Sequence, residues 1–105
     1  MEINRKVKDN TAELVVSGRL DTTTSPELEE VLKDLFEQGV NELVFDFADL
    51  EYVSSAGLRV LLFAQKSLND GGKMTIKNVR EEIMEVFDMT GFLDILTVEA
   101  APSEE

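Results

Sequence analysis

Residues 44–62 read VFDFADLEYVSSAGLRVLL, and the reading of the whole chain turns on this stretch. Its start belongs to NELVFDF (41–47), where Leu43, Val44, Phe45 and Phe47 predict a buried strand. Ala48 to Val53 follow as an expected acidic loop. From Ala56 onward, Leu58, Leu61, Leu62 and Leu68 recur at helical spacing, with Val60 and Phe63 widening the apolar face. Asn69-Asp70-Gly71-Gly72 is the expected stop. A buried strand feeding a helix is half of a βαβ unit, and such units build parallel strands through right-handed crossovers.

The same grammar extends in both directions. Upstream, EINRKVK (2–8) is a weak edge strand and TAELVVS (11–17) a stronger one, joined by a turn at Asp9-Asn10. GRLDTT (18–23) reads as a loop. Thr24 with Glu27 forms a capping-box pattern, with Pro26 suited to the first turn of a helix. Leu28, Val31, Leu32, Leu35 and Phe36 line one face of that helix, and Gly39 ends it. Downstream, KMTIK (73–77) is a strand. Asn78 is the expected cap of a third helix that turns Ile83, Val86 and Phe87 inward and breaks at Gly91. ILTVE (95–99) is a last short strand. Met74, Met84 and Met89 are assigned to gap filling in the core. The expected fold is α/β: one domain over 1–105, about five mostly parallel strands with the first antiparallel at an edge, and three to four helices. Residues 99–105, ending in AAPSEE, are expected to be a flexible tail.

Composition narrows the function. With 105 residues the chain has enough length for a real core. It has no Cys and no His, so a disulfide, a thiolate zinc site and a Ser-His-Asp set are all excluded. The net charge of −12 disfavours nucleic acid and anionic membranes as partners. The opening MEINRKVKDN lacks an apolar leader, and no run approaches the roughly 18 apolar residues of a membrane span, so the cytoplasm is the expected compartment. There is no GxxxxGK[ST] or GxGxxG loop. No catalytic residue, metal or cofactor is expected, and the chain is expected to be monomeric.

The chemistry that remains lies at the mouth of the second helix. Helix N-termini present free N–H groups and a partial positive charge, which suit a hydroxyl cap or a phosphate. Ser54 or Ser55 is placed to cap, a role worth about 1 kcal/mol. One serine suffices for capping. The second is then free, beside the small pair Ala56-Gly57 that would let another protein approach.

These residues resemble the phosphorylation loop of STAS-domain anti-sigma factor antagonists, whose motif runs Asp-Ser-Ser/Thr/Ala-Gly-Leu. Aligned on Gly57-Leu58, Ser55 stands at the phosphoacceptor, Ala56 at the following small residue, and Ser54 where the motif has Asp. GRLD (18–21), NDGGKMTI (69–76) and VFDMTGFLDIL (86–96) are similar to other family stretches in the same order. The resemblance implies a protein that binds an anti-sigma factor, itself a Ser/Thr kinase of the histidine-kinase-like ATPase type. Phosphorylation of Ser55 would end that contact and a PP2C-type phosphatase would restore it. It further implies a partner-binding surface of Asp21, Thr22, Ser54, Ser55, Ala56 and Gly57, with Asp21 close to Ser55; the helix face carrying Arg59 and Gln65 either continues that surface or is simply solvated. Three other readings stay open: a STAS subunit of a lipid-transport ABC complex in which Ser55 is only a cap, a stressosome-type scaffold, and an enzyme or nucleotide binder.

Overall fold

The computed structural model describes residues 1–68 and 71–102. β1 (Glu2–Lys8) and β2 (Thr11–Leu20) form an antiparallel hairpin, closed by Asp9 at a φ of 57°. β2 then pairs in parallel with β3 (Glu42–Asp46). β3 pairs with β5 (Lys73–Val79), and β5 with β6 (Thr97–Ala100), again in parallel. The main path through the sheet is therefore β1-β2-β3-β5-β6. The helices α1 (Ser25–Glu37), α2 (Ser55–Ser67) and α3 (Glu81–Met89) make the connections, with a 3-10 turn at Phe92–Asp94. The expected α/β class, with its mostly parallel sheet and antiparallel edge, is the fold observed.

Burial alternates along the central strands. Ala12, Leu14 and Val16 of β2, with Leu43 and Phe45 of β3 and the following Phe47, are buried beneath the helices. Val44, read from the sequence as part of a fully buried strand, is only half-buried on the other face. That face carries the Lys77–Glu13 ion pair at 3.1 Å. α1 and α2 contribute Leu28, Leu32, Leu35, Leu58, Leu61 and Ala64 to the core, and they meet edge to face through Phe36 and Phe63, 6.1 Å apart.

Several expectations change. The segment read as a loop, Ala48 to Val53, contains a further strand, β4 (Leu50–Val53), so the strands among the described residues number six. β4 pairs in parallel with the end of β2, which runs on to Leu20 through residues read as the GRLDTT loop. Gly18 makes this extension possible. Its φ of +88° shifts the register between Gly18 and Arg19, and its N–H reaches the Asp49 carbonyl at 3.0 Å.

The capping box is absent. Thr24 has helical dihedrals and makes no side-chain cap contact, because Asp21 organises that turn instead. Asn78 does not cap α3. It sits at a φ of 60° inside β5, and its side-chain amide donates to Asp46 Oδ1 at 3.1 Å. Met74 is buried and Met84 partly so, but Met89 is 86% exposed, since it falls on the outer side of the last turn of α3. The stop after α2 lies partly at 69–70, outside the described residues; beyond it Gly72 N–H bonds the Leu68 carbonyl. Residues 99–101 are held on the sheet rather than frayed, because β6 reaches Ala100 and Ala101 N–H bonds the Val79 carbonyl at 2.9 Å. Residues 103–105 of the expected tail lie outside the described residues.

Candidate partner-binding surface at the mouth of the second helix

β4 brings two loops together. Leu20 pairs with Val53, and Ser54 N–H donates to the Leu20 carbonyl at 2.9 Å. The chain segments beginning at Asp21 and at Ser54 therefore leave the same end of the sheet side by side.

The first loop is built around a carboxylate. Asp21 Oδ1 accepts the N–H groups of Thr23 and Thr24 at 3.0 and 3.1 Å. The Thr24 hydroxyl accepts from Asp21 N–H at 2.9 Å and donates to the Arg19 carbonyl at 2.8 Å. Ser25 N–H bonds the Asp21 carbonyl, and the turn passes directly into α1. Arg19 ties this loop to β4: its guanidinium lies 3.8 Å from Asp21 Oδ2 and 4.2 Å from the centre of the Tyr52 ring.

The Thr24 backbone N–H holds the Asp21 carboxyl below its ordinary range, aided by the Thr24 hydroxyl, the Thr23 N–H and Arg19, and opposed by partial desolvation. Folded Asp21 thus binds its proton more weakly than unfolded Asp21. Its contribution to stability is complete above the unfolded pKa and is lost as pH falls through the folded one. We expect Asp21→Asn to be less stable than the parent protein near neutral pH, with the gap closing on acidification below the ordinary carboxylate range. Urea midpoints compared across that range would show this, and a gap independent of pH would contradict it.

The second loop opens α2. Ser54 is the N-cap, in extended conformation, and its hydroxyl accepts Gly57 N–H at 3.3 Å. Ser55 is the first residue of the helix and is exposed. Of the two serines, then, the first caps and the second faces outward. Gly57 is buried: a Cβ there would stand 2.7 Å from Leu20 Cγ and 3.0 Å from both the Leu20 carbonyl oxygen and Val53 Cγ2. Gly57, expected on the binding surface, therefore shapes that surface from beneath.

Ala56 and Arg59 line a shallow groove of about 280 Å³ with Thr22 and Pro26, walled by Glu29 and Glu30 of α1. Arg59 also borders a second depression along α2 with Leu62, Phe63 and Lys66. Arg59 is thus common to two shallow depressions along α2, one walled by carboxylates and one mixing apolar and basic side chains. Leu62, assigned to the core from its spacing, is half-buried there, and Gln65 is half-buried outside that depression. Tyr52, 40% exposed beside the serines, was not singled out from sequence. The signal was present as a lone Tyr in an acidic segment, but it carried no weight while that segment was read as a loop. Among the described residues, no group of three His, Cys, Asp or Glu side chains is arranged to hold a metal ion.

The STAS domain family matches residues 2–105 of this chain. The anti-sigma-B factor antagonist of Staphylococcus epidermidis is 35% identical over 99 residues, covering 93% of this chain and 92% of the relative. Among solved structures, an anti-sigma factor antagonist from Mycobacterium paratuberculosis superposes with a TM-score of 0.84 at 20% identity, covering 93% of this chain and 84% of that one. The phosphorylated form of the Bacillus cell fate determinant SpoIIAA superposes with a TM-score of 0.74 at 18% identity, covering 92% and 90%. At these identities the structural likenesses establish the fold.

Proposed function

The chain belongs to the STAS domain family, and from that premise we propose that it is an anti-sigma factor antagonist, regulatory rather than catalytic, with Ser55 as its switch. The reading of function rests on the staphylococcal relative, which aligns along nearly its whole length. The unmodified protein binds an anti-sigma factor in the cytoplasm through Asp21, Thr22, Ser54, Ser55, Ala56 and Arg59, and so frees a sigma factor. The anti-sigma factor is also the kinase that phosphorylates Ser55, and a PP2C-type phosphatase reverses the modification.

The observation that carries the switch is the division of labour between the two serines. Because Ser54 makes the capping contact, modifying Ser55 removes no hydrogen bond that holds α2 in place. A phosphate on the first residue of a helix sits near free N–H groups and gains roughly 0.3–1 kcal/mol from the dipole. The domain tolerates it. At a close-packed interface the same group brings about −1.5 to −2 charges. Ser54 stands where the family motif has Asp, a departure from the pattern that is neutral for the cap alone, since Ser and Asp are comparable N-caps. The exchange keeps the cap and removes a negative charge beside Ser55.

Mass spectrometry of the protein purified from its own cells tests the proposal. The expected result is a phosphate on Ser55 in part of the population, with an anti-sigma factor co-purifying only with the unmodified part. Ser55 free of phosphate under every growth condition, together with a transporter ATPase as the companion, would replace the switch with a permanent docking role.

A further inference from the structure

A second surface lies at the α3–β6 edge of the fold and shares no residue with the one above. Residues 81–100 contain six acids (Glu81, Glu82, Glu85, Asp88, Asp94 and Glu99) and no Lys or Arg. Three of the large apolar side chains exposed on this protein, Met89, Leu93 and Ile95, fall in this one segment. A groove of about 610 Å³ runs between α3, the 3-10 turn and β6. Its apolar lining includes Val79, Met84, Leu93 and Ala100, and Glu81, Glu85 and Asp88 stand along it. The last turn of α3 carries Asp88 and no basic residue, so a carboxylate adds to the negative end of the helix dipole instead of offsetting it. Three carboxylates thus stand along a groove whose floor is apolar, with Arg80 at the N-cap of α3 as the neighbouring cation in sequence.

We propose that this groove docks a basic amphipathic helix of a partner protein. Apolar side chains of that helix fill the space beside Met84 and Leu93, and its Lys or Arg side chains meet Glu81, Glu85 and Asp88. Methionine suits such a floor because its flexible thioether adapts to differing shapes. Charge decides among the possible occupants. A second copy of this chain would bring another −12 to the contact, and an anionic membrane would be repelled. The proposal is independent of the switch at Ser55.

The probe is a fluorescein-labelled peptide of about 18 residues, five helical turns, with Leu on one face and Lys on the other. Its counterpart carries Gln for every Lys. Anisotropy gives affinity, and amide chemical shifts of the full-length protein locate the peptide. The Lys peptide is expected to perturb residues 79–101 and spare 20–24 and 54–59, with binding that weakens as salt rises. The doubly reversed variant Glu85→Lys/Asp88→Lys is expected to bind about tenfold more weakly or worse. Both positions are exposed, so the fold survives the change. Leu93→Ser tests the apolar half and is expected to weaken binding of both peptides. Ser55→Asp is expected to bind the peptide unchanged. Perturbations scattered over the whole acidic surface, equal affinity of the doubly reversed variant, or equal affinity for the Gln peptide would each overturn the proposal. So would sedimentation as a dimer that Leu93→Ser dissociates.

Discussion

Ser55→Asp is expected to weaken binding to the anti-sigma factor by about 30-fold to several-thousand-fold, leaving the unfolding midpoint almost unchanged. The two halves of this result have different causes. Ser55 is exposed on the first turn of α2 and the cap belongs to Ser54, so a carboxylate there breaks no hydrogen bond and faces the positive end of the dipole. In the complex the carboxylate is covered by the partner, and an unmatched buried charge costs on the order of 2–5 kcal/mol. Asp carries less charge than a phosphoserine, so the substitution falls toward the lower end and genuine phosphorylation toward the upper. Ser55→Ala is expected to bind as the unmodified protein does and to resist release by the kinase. Isothermal titration of the three forms against the anti-sigma factor measures the series. Equal affinity of wild type and Ser55→Asp would remove Ser55 from the interface.

Gly57→Ala is expected to destabilise the fold by about 1–3 kcal/mol, the cost of overpacking a filled core. Intrinsic propensity argues the opposite, since Ala in a helix is favoured over Gly by roughly 0.5–1 kcal/mol. Space decides the sign. The new methyl would lie 2.7 Å from Leu20 Cγ and 3.0 Å from the Leu20 carbonyl oxygen. Leu20 is fully buried, so its side chain has nowhere to swing, and its carbonyl already accepts Ser54 N–H. Relief requires α2 to move away from the end of β2. That movement parts the Asp21 loop from the Ser54 loop, so affinity for the anti-sigma factor falls along with stability. Urea unfolding with a binding measurement on the same sample tests both. A variant as stable as the parent would show that the contact yields easily and does not position the loops.

These two substitutions separate what a sequence can carry from what it cannot. The serine pair at a helix start was legible because a helix start is a local event: two serines, two small residues and a leucine repeat lie within a few positions of one another. The role of Gly57 was not legible, because its neighbours Leu20 and Val53 reach it only through the pairing of β4 with β2. β4 itself was hidden because it is four residues long and buries only its two ends, Leu50 and Val53, without the alternation that marks a strand. With β4 unseen, Tyr52 had no place. Asp21 could be matched to a family motif, but its work as the anchor of the turn into α1 emerged only from the hydrogen bonds it accepts.

The sequence by itself determined the order of the three helices and of every strand but β4, the mostly parallel sheet with an antiparallel edge, the apolar faces of α1 and α2, and the serine pair at the mouth of α2. All of these follow from periodicities of 2 and 3.6 and from turn residues, which act over a few neighbouring positions. The tertiary structure alone decided which serine caps and which faces outward, that Gly57 lies beneath the surface instead of on it, that Met89 and Ile95 remain exposed, and that Leu93 lines an acidic groove. Such outcomes depend on which distant residue occupies the adjacent space, and a local pattern holds no information about that.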